Sequence, residues 1–271
     1  MSKSKMNKKT TVKTLQKMKK RGEKITALTA YDSLFAGYLE KSGIDVILVG
    51  DSVGMVYAGQ ETTIPVTIEE IIYHTKAVKK SVKNSLLVAD MPFMSYQVNS
   101  EETLKNAGRI LKESGAESVK MEGGKEIADS VIRCVNAGIP VMGHLGLTPQ
   151  SIHKFGSYKV QGKSEQAKDK IIKDAIDLQK AGCYAIVLEK IPASLAKEIT
   201  KKLDIPTIGI GAGKYTDGQI LVTYDMLGMF EKFKPKFARR YMELATEIKK
   251  SIKEYVNDVK DNNFPSEDES F

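Results

Sequence analysis

Val46-Ile47-Leu48-Val49-Gly50-Asp51-Ser52, Leu86-Leu87-Val88-Ala89-Asp90 and Val119-Lys120-Met121-Glu122-Gly123-Gly124 follow one pattern. Each is a short, largely apolar run that ends in a carboxylate. The runs are rich in Val, Ile and Leu without strict alternation, which is how parallel strands covered on both faces read. Working outward, comparable runs occupy residues 26–30, 140–143, 184–188 and 206–210, and an eighth fits best at 220–224. Segments of helical period lie between them. Residues 67–83 bring Ile68, Ile71, Ile72 and Val78 towards one face, and residues 165–180 do so with Ile171, Ile172, Ala175, Ile176 and Leu178. Gly43, Gly115, Gly138 and Gly182 follow helical segments and precede strands, as left-handed caps do. Eight alternations of strand and helix with right-handed crossovers predict an α/β fold, a closed (β/α)8 TIM barrel in a single domain. The chain of 271 residues suits a barrel of about 250. The expected layout is a basic segment and lead-in helix over 1–24, the barrel with C-terminal helices over 25–259, and an extended acidic tail over 260–271. Within it, residues 234–259 read as helical.

The net charge of +8 invites a nucleic-acid reading until it is mapped. Residues 1–24 hold ten Lys and Arg against the single acid Glu23, and the rest of the chain carries 32 basic and 33 acidic groups. The body has no surplus positive charge to lay along a phosphate backbone, so no nucleic-acid partner is expected. Residues 1–11 read as a frayed, solvated terminus. No apolar run approaches the ~18–20 residues of a membrane span, and no apolar stretch follows the basic terminus as a secretion signal requires. Cys134 and Cys183 are the only cysteines and form no CxxC pair. They read as small packing residues in a reducing, cytoplasmic setting.

Barrels of this kind build active sites at the C-terminal ends of their strands. Asp51, Asp90 and Glu122 would meet there from three neighbouring strands. Three like charges so close repel unless a cation joins them, and hard oxygen donors suit Mg2+. Lys120 lies two residues before Glu122 and therefore shares its face of the strand. It needs an anionic partner, either a neighbouring carboxylate or the carboxylate or developing enolate of a substrate. His144 ends the fifth strand, as a core histidine or a site residue. Glu189 follows Ala185-Ile186-Val187-Leu188, a setting that suits a general base, although it could simply pair with Lys190. Gly209-Ile210-Gly211-Ala212-Gly213 is either a phosphate cradle or a plain turn. His74 and His153 read as surface or loop residues.

With further blocks, the chain closely resembles the ketopantoate hydroxymethyltransferase family. These are Thr29-Ala30-Tyr31-Asp32, Val53-Gly54-Met55, Met91-Pro92-Phe93-Met94-Ser95-Tyr96, Gly143-His144-Leu145-Gly146-Leu147-Thr148-Pro149-Gln150, Tyr158-Lys159-Val160-Gln161-Gly162 and Asp217-Gly218-Gln219. The resemblance implies the first committed step of pantothenate synthesis. A one-carbon unit would pass from methylenetetrahydrofolate to the small molecule 3-methyl-2-oxobutanoate, through an enolate stabilised by Mg2+. It implies Asp51, Asp90 and Glu122 as metal ligands, Asp51, Ser52, Asp90 and Lys120 as keto-acid contacts, and Glu189 as proton acceptor. His144 and Tyr31 would support the site, and the chain would assemble as a homo-oligomer, a decameric ring. One departure is Glu269, where the resemblance leads one to expect His. The nearest rival is a Mg2+-dependent carbon–carbon lyase or phosphonomutase on a similar barrel. A lid with a reactive cysteine would be expected there, and neither Cys134 nor Cys183 falls in a rim loop. A non-catalytic scaffold acting through residues 1–24 is the rival from another class.

Overall fold

The computed structural model describes residues 8–231 and 235–271. It divides into two compact units, Met1–Leu221 and Val222–Phe271. In the first, eight strands pair in chain order, each parallel to the next, and the last pairs with the first to close a barrel. They are β1 (Ile25–Thr29), β2 (Val46–Val49), β3 (Leu86–Asp90), β4 (Ser118–Glu122), β5 (Val141–Gly146), β6 (Ala185–Glu189), β7 (Thr207–Ile210) and β8 (Gly218–Leu221). The expected TIM barrel is present. Its last strand starts earlier than the apolar run suggests, and Thr223–Leu227 is a helix rather than strand. A Cβ on Gly218 would fall 2.5 Å from Ile25 O, so only glycine lets β8 close on β1 there.

Alternation along the strands decides what the barrel encloses. Ile25, Ala27, Val46, Leu48, Leu86, Val88, Met142, Ala185, Val187, Ile208 and Ile220 pack into one buried cluster. Continuing each column by two residues reaches Asp90 on β3, His144 on β5 and Glu189 on β6. On β4 the column is Ser118, Lys120, Glu122. The apolar layers therefore fill the N-terminal half of the barrel and hand over to charge at the C-terminal rim.

The helices are set by local signals. The helix Ile68–Lys79 starts in a capping box made by Thr67 and Glu70 and ends four residues before the expected limit. Ser164 caps Glu165–Ala181, whose C-terminus closes on Gly182 at φ 101. The helix Val12–Arg21 buries Leu15 and Met18 in the barrel cluster. It lies across the N-terminal ends of the strands, where Lys19 meets Asp217 at 2.8 Å and Lys24 donates to Thr216 O. Residues 8–11 are not frayed: Thr10 is buried and donates to Asn84 O, and Lys9 donates to Ser85 O. Residues 1–7 lie outside the described part. Much of the basic segment is thus the barrel's floor.

In the second unit, helix forms over Leu244–Lys260, whereas residues 235–243 contain none. Lys234, where helix was expected to begin, lies outside the described residues. Arg240 pairs with Glu243 and donates to Phe230 O ahead of that helix. The acidic tail is not extended throughout. It folds into a short turn at Glu267–Glu269, where Ser266 N–H donates to Glu269 Oε2 at 2.9 Å.

Candidate active site

Strand register brings the charged residues together. Asp90 stands beside Lys120, Glu122 beside His144, and Gly146 beside Glu189. Asp51 joins them from the turn after β2, where its own N–H donates to Asp90 Oδ2 at 2.9 Å. Lys120 Nζ lies 2.8 Å from Asp90 Oδ1 and 3.7 Å from Glu122 Oε1. His144 Nδ1 reaches Glu122 Oε1 at 3.2 Å. Asp51, Asp90, Lys120, Glu122 and His144 are all buried, while the Glu189 side chain keeps 14% of its surface exposed at the rim. Sequence spacing thus located one constellation, and the fold assembles it.

The electrostatics follow from burial without full compensation. Burial, reinforced by Asp90 and Glu122, pushes the Asp51 carboxyl well above the ordinary carboxylate range. Burial also raises Asp90, against the pull of Lys120. Burial would raise Glu122 too, but His144, Lys120 and the Gln150 N–H outweigh it and hold it low. Burial lowers Lys120, yet the three carboxylates win and keep it charged. Four carboxyl groups, those of Asp51, Asp90, Glu122 and Glu189, thus gather around Lys120 and His144.

Among the described residues, no three acidic, imidazole or thiol groups converge into a ready-made metal site. The reason is visible in the geometry, because the Lys120 ammonium stands between Asp90 and Glu122. The donor chemistry nonetheless fits a hard dication. Asp51, Asp90 and Glu122 bring three buried carboxylates, all hard oxygen donors, to the same end of the barrel, with the single Lys120 ammonium among them.

Tyr31 and Ser52 are also brought to the site, their hydroxyl oxygens 2.8 Å apart. Two supporting residues escaped the sequence reading. Gln150 donates from Nε2 to Asp51 Oδ2 and to Met91 O, each at 2.9 Å, and its own N–H donates to Glu122 Oε2 at 3.0 Å. Tyr96 is buried with its hydroxyl on Gln150 Oε1 and on the Glu122 backbone. His74 is a correction: it is buried in its helix, not at the surface or in a loop. Its Nδ1 donates to Tyr31 O at 2.7 Å, and the rings of Tyr57 and Tyr73 meet it edge-on. His153 is exposed, as expected.

Lys190, after the expected base, holds a left-handed backbone at φ 44. Its ammonium donates to Tyr158 O, and its carbonyl accepts from Gln161 N–H. Cys134 and Cys183 are buried packing residues, their thiols pushed up by burial to about 11 and about 12. Of the glycines in the motif Gly209-Ile210-Gly211-Ala212-Gly213, Gly209 lies within β7, where a Cβ would fall 2.7 Å from Thr216 Oγ1, and Gly211 and Gly213 turn the chain after it with left-handed backbone at φ 62 and 78. No helix among the described residues is long and apolar enough to cross a membrane.

The chain is 52% identical over 271 residues to the 3-methyl-2-oxobutanoate hydroxymethyltransferase of Syntrophus aciditrophicus (strain SB), covering 100% of both. It is 55% identical over 265 residues to that of Chlorobium phaeobacteroides (strain BS1), covering 96% of each. Among solved structures, it is similar to phosphonopyruvate hydrolase in complex with oxalate and Mg2+. The TM-score is 0.61 at 14% identity, over 95% of this chain and 92% of that one. It is also similar to 2,3-dimethylmalate lyase, with a TM-score of 0.58 at 13% identity over 96% and 91%. At such identities these two show the barrel and nothing more. The ketopantoate hydroxymethyltransferase family model matches residues 9–267, and with relatives above half identity along the whole chain, the protein belongs to that family.

Proposed function

We propose that the chain converts 3-methyl-2-oxobutanoate to 2-dehydropantoate, the first committed step of pantothenate synthesis, with methylenetetrahydrofolate as one-carbon donor. The observation that carries this reading is the buried cluster of Asp51, Asp90, Glu122, Lys120 and His144, with the Glu189 carboxylate at its open edge. Asp51, Asp90 and Glu122 would hold Mg2+, which when bound supplies Lewis-acid polarisation of the substrate ketone. Ser52, fixed by Tyr31, joins Asp51, Asp90 and Lys120 in holding the keto-acid. Lys120 places positive charge where the enolate's negative charge develops. Glu189 takes the proton from the carbon beside the ketone, a general-base contribution of roughly 10²–10⁴-fold. The resulting carbanion attacks the one-carbon unit of the donor, tetrahydrofolate leaves, and water supplies the hydroxyl.

Self-association fits the second unit, whose helix Leu244–Lys260 buries none of its residues and exposes Ile248, Ile252, Tyr255, Val256 and Val259. A decameric ring remains the expectation from the family. Two buried free thiols suit a cytoplasmic enzyme.

Enolisation needs no donor, so the test isolates it. The protein with Mg2+ should exchange the methine proton of 3-methyl-2-oxobutanoate for deuterium in D2O without folate, read as loss of its NMR signal. Glu189→Gln should abolish exchange while keto-acid binding survives. Wild-type exchange in that variant would move the base elsewhere, with His144 next in line.

A further inference from the structure

Asp51 and Glu122 reach the site from strands that are not neighbours in the barrel, and both carry negative charge. Some group must hold them in register without cancelling the charge a cation needs. Lys120 cannot do this, because its ammonium neutralises Asp90 and leans towards Glu122. Gln150 can. Its hydrogen bonds reach both carboxylates, Asp51 through its side chain and Glu122 through its backbone N–H. It is neutral, so it binds both and discharges neither.

We infer that Gln150, locked by Tyr96, is the positioning residue that keeps the Asp51 and Glu122 carboxylates spaced for a divalent cation. The inference rests on the metal reading above and goes beyond it, since neither residue is among the expected ligands.

The orientation of the Gln150 amide is forced. Its Nε2 end faces Asp51 Oδ2 and Met91 O, and the Met91 carbonyl can only accept. Its Oε1 end receives the Tyr96 hydroxyl at 2.7 Å and Gln97 Nε2 at 3.1 Å. The Tyr96 hydroxyl in turn accepts the Glu122 N–H at 3.0 Å. A closed circuit results: Glu122 N–H to Tyr96, Tyr96 to Gln150, and Gln150 to Asp51, with Gln150 N–H returning to the Glu122 carboxylate. All of its members are buried. In a low-dielectric interior a complete circuit resists displacement, and breaking one link leaves a buried polar group unpaired. Supporting hydrogen bonds of this kind commonly govern metal affinity by 10–100-fold.

The experiment compares Mg2+ binding to the purified full-length protein, the Gln150→Glu variant and the Tyr96→Phe variant, by titration calorimetry without substrate. Thermal unfolding of each is measured in chelator. Gln150→Glu replaces the donor facing Asp51 and Met91 O with an acceptor. Tyr96→Phe removes a single hydroxyl and keeps the ring, so it stays informative if the first variant does not fold. The expected result is a Kd for Mg2+ weaker by about 10–100-fold in each folded variant. A residue serving only as packing would lower the melting temperature and leave that Kd unchanged. Wild-type affinity in both folded variants would overturn the inference while sparing the metal reading. A wild-type protein that binds no Mg2+ would remove both.

Discussion

His144 Nε2 stands 3.3 Å from Glu189 Oε2 yet makes no hydrogen bond, while its Nδ1 lies 3.2 Å from both Glu122 Oε1 and Lys120 Nζ. The imidazole lies between Glu122 and the expected base, Glu189. Burial is the largest influence on it and, with Lys120, acts to lower its pKa. Glu122 and Glu189 outweigh both and raise it from 6.5 to about 9. A base raised on folding adds stability that is complete below its unfolded pKa and is lost as pH climbs through the folded one. In the metal-free protein, the stability gap between wild type and His144→Gln should therefore be widest below pH 6.5 and close towards pH 9. Denaturant titrations in chelator across this range check it, and a gap that widens with pH would contradict a charged imidazole.

Lys120 is the only lysine in the cluster, and Asp90, Glu122 and Asp51 all act on it. Lys120→Met keeps most of the volume and removes the charge. Leaving one member of a buried ion pair uncompensated costs about 3–5 kcal/mol. That loss should be partly restored by Mg2+, because the dication supplies the missing charge. Melting curves with and without Mg2+ test the stability effect, and keto-acid KM tests the binding effect. A variant that melts lower but binds keto-acid normally would confine Lys120 to a structural role.

How much of this was legible depended on how far the signal travels along the chain. Asp51, Asp90, Glu122 and Glu189 could be read because each closes an apolar run, a pattern contained within one strand. Gln150 could not, since its partner Asp51 is 99 residues away and nothing near Gln150 differs from a polar loop residue. His74 was misread because its burial depends on Tyr57 and on its contact with Tyr31 O, 43 residues away. The lead-in helix was expected, but not that Val12–Arg21 would floor the barrel, because its charges are numerous and its two buried residues few. Their role appears only when the strand ends they cover are in place.

Gly146 sits at φ 95 beside the expected base, and a Cβ there would fall 2.2 Å from Glu189 O. Gly146→Ala thus meets both a disfavoured backbone and a collision with β6. Strain of this kind costs about 1–3 kcal/mol for the backbone alone. The variant should lose at least that much stability in urea titrations. Its folded fraction should also exchange the substrate methine proton more slowly, since relieving the clash moves Glu189. Unchanged exchange would show that the position of Glu189 O does not matter to the base.

Leu15 is completely buried, packed with Met18 against the first residues of the strands, at the end of the barrel opposite the acidic cluster. Its truncation should separate stability from chemistry. Leu15→Ala removes a core side chain and leaves a cavity, which costs about 2–5 kcal/mol. Lys13→Ala and Lys17→Ala, exposed on the same helix, should stay within about 0.5 kcal/mol of wild type. The protein that remains folded in Leu15→Ala should exchange the substrate proton at the wild-type rate, because every residue of the site hangs from the other ends of the strands. Removing the whole segment 1–24 is a different operation, since it takes away Leu15, Met18 and the Lys19 contact with Asp217 together. That truncation should fail to give a stable barrel, so lost activity in it would say nothing for a scaffold function of the basic segment. The diagnostic result is the point variant: full stability in Leu15→Ala would mean that the helix does not close the barrel floor.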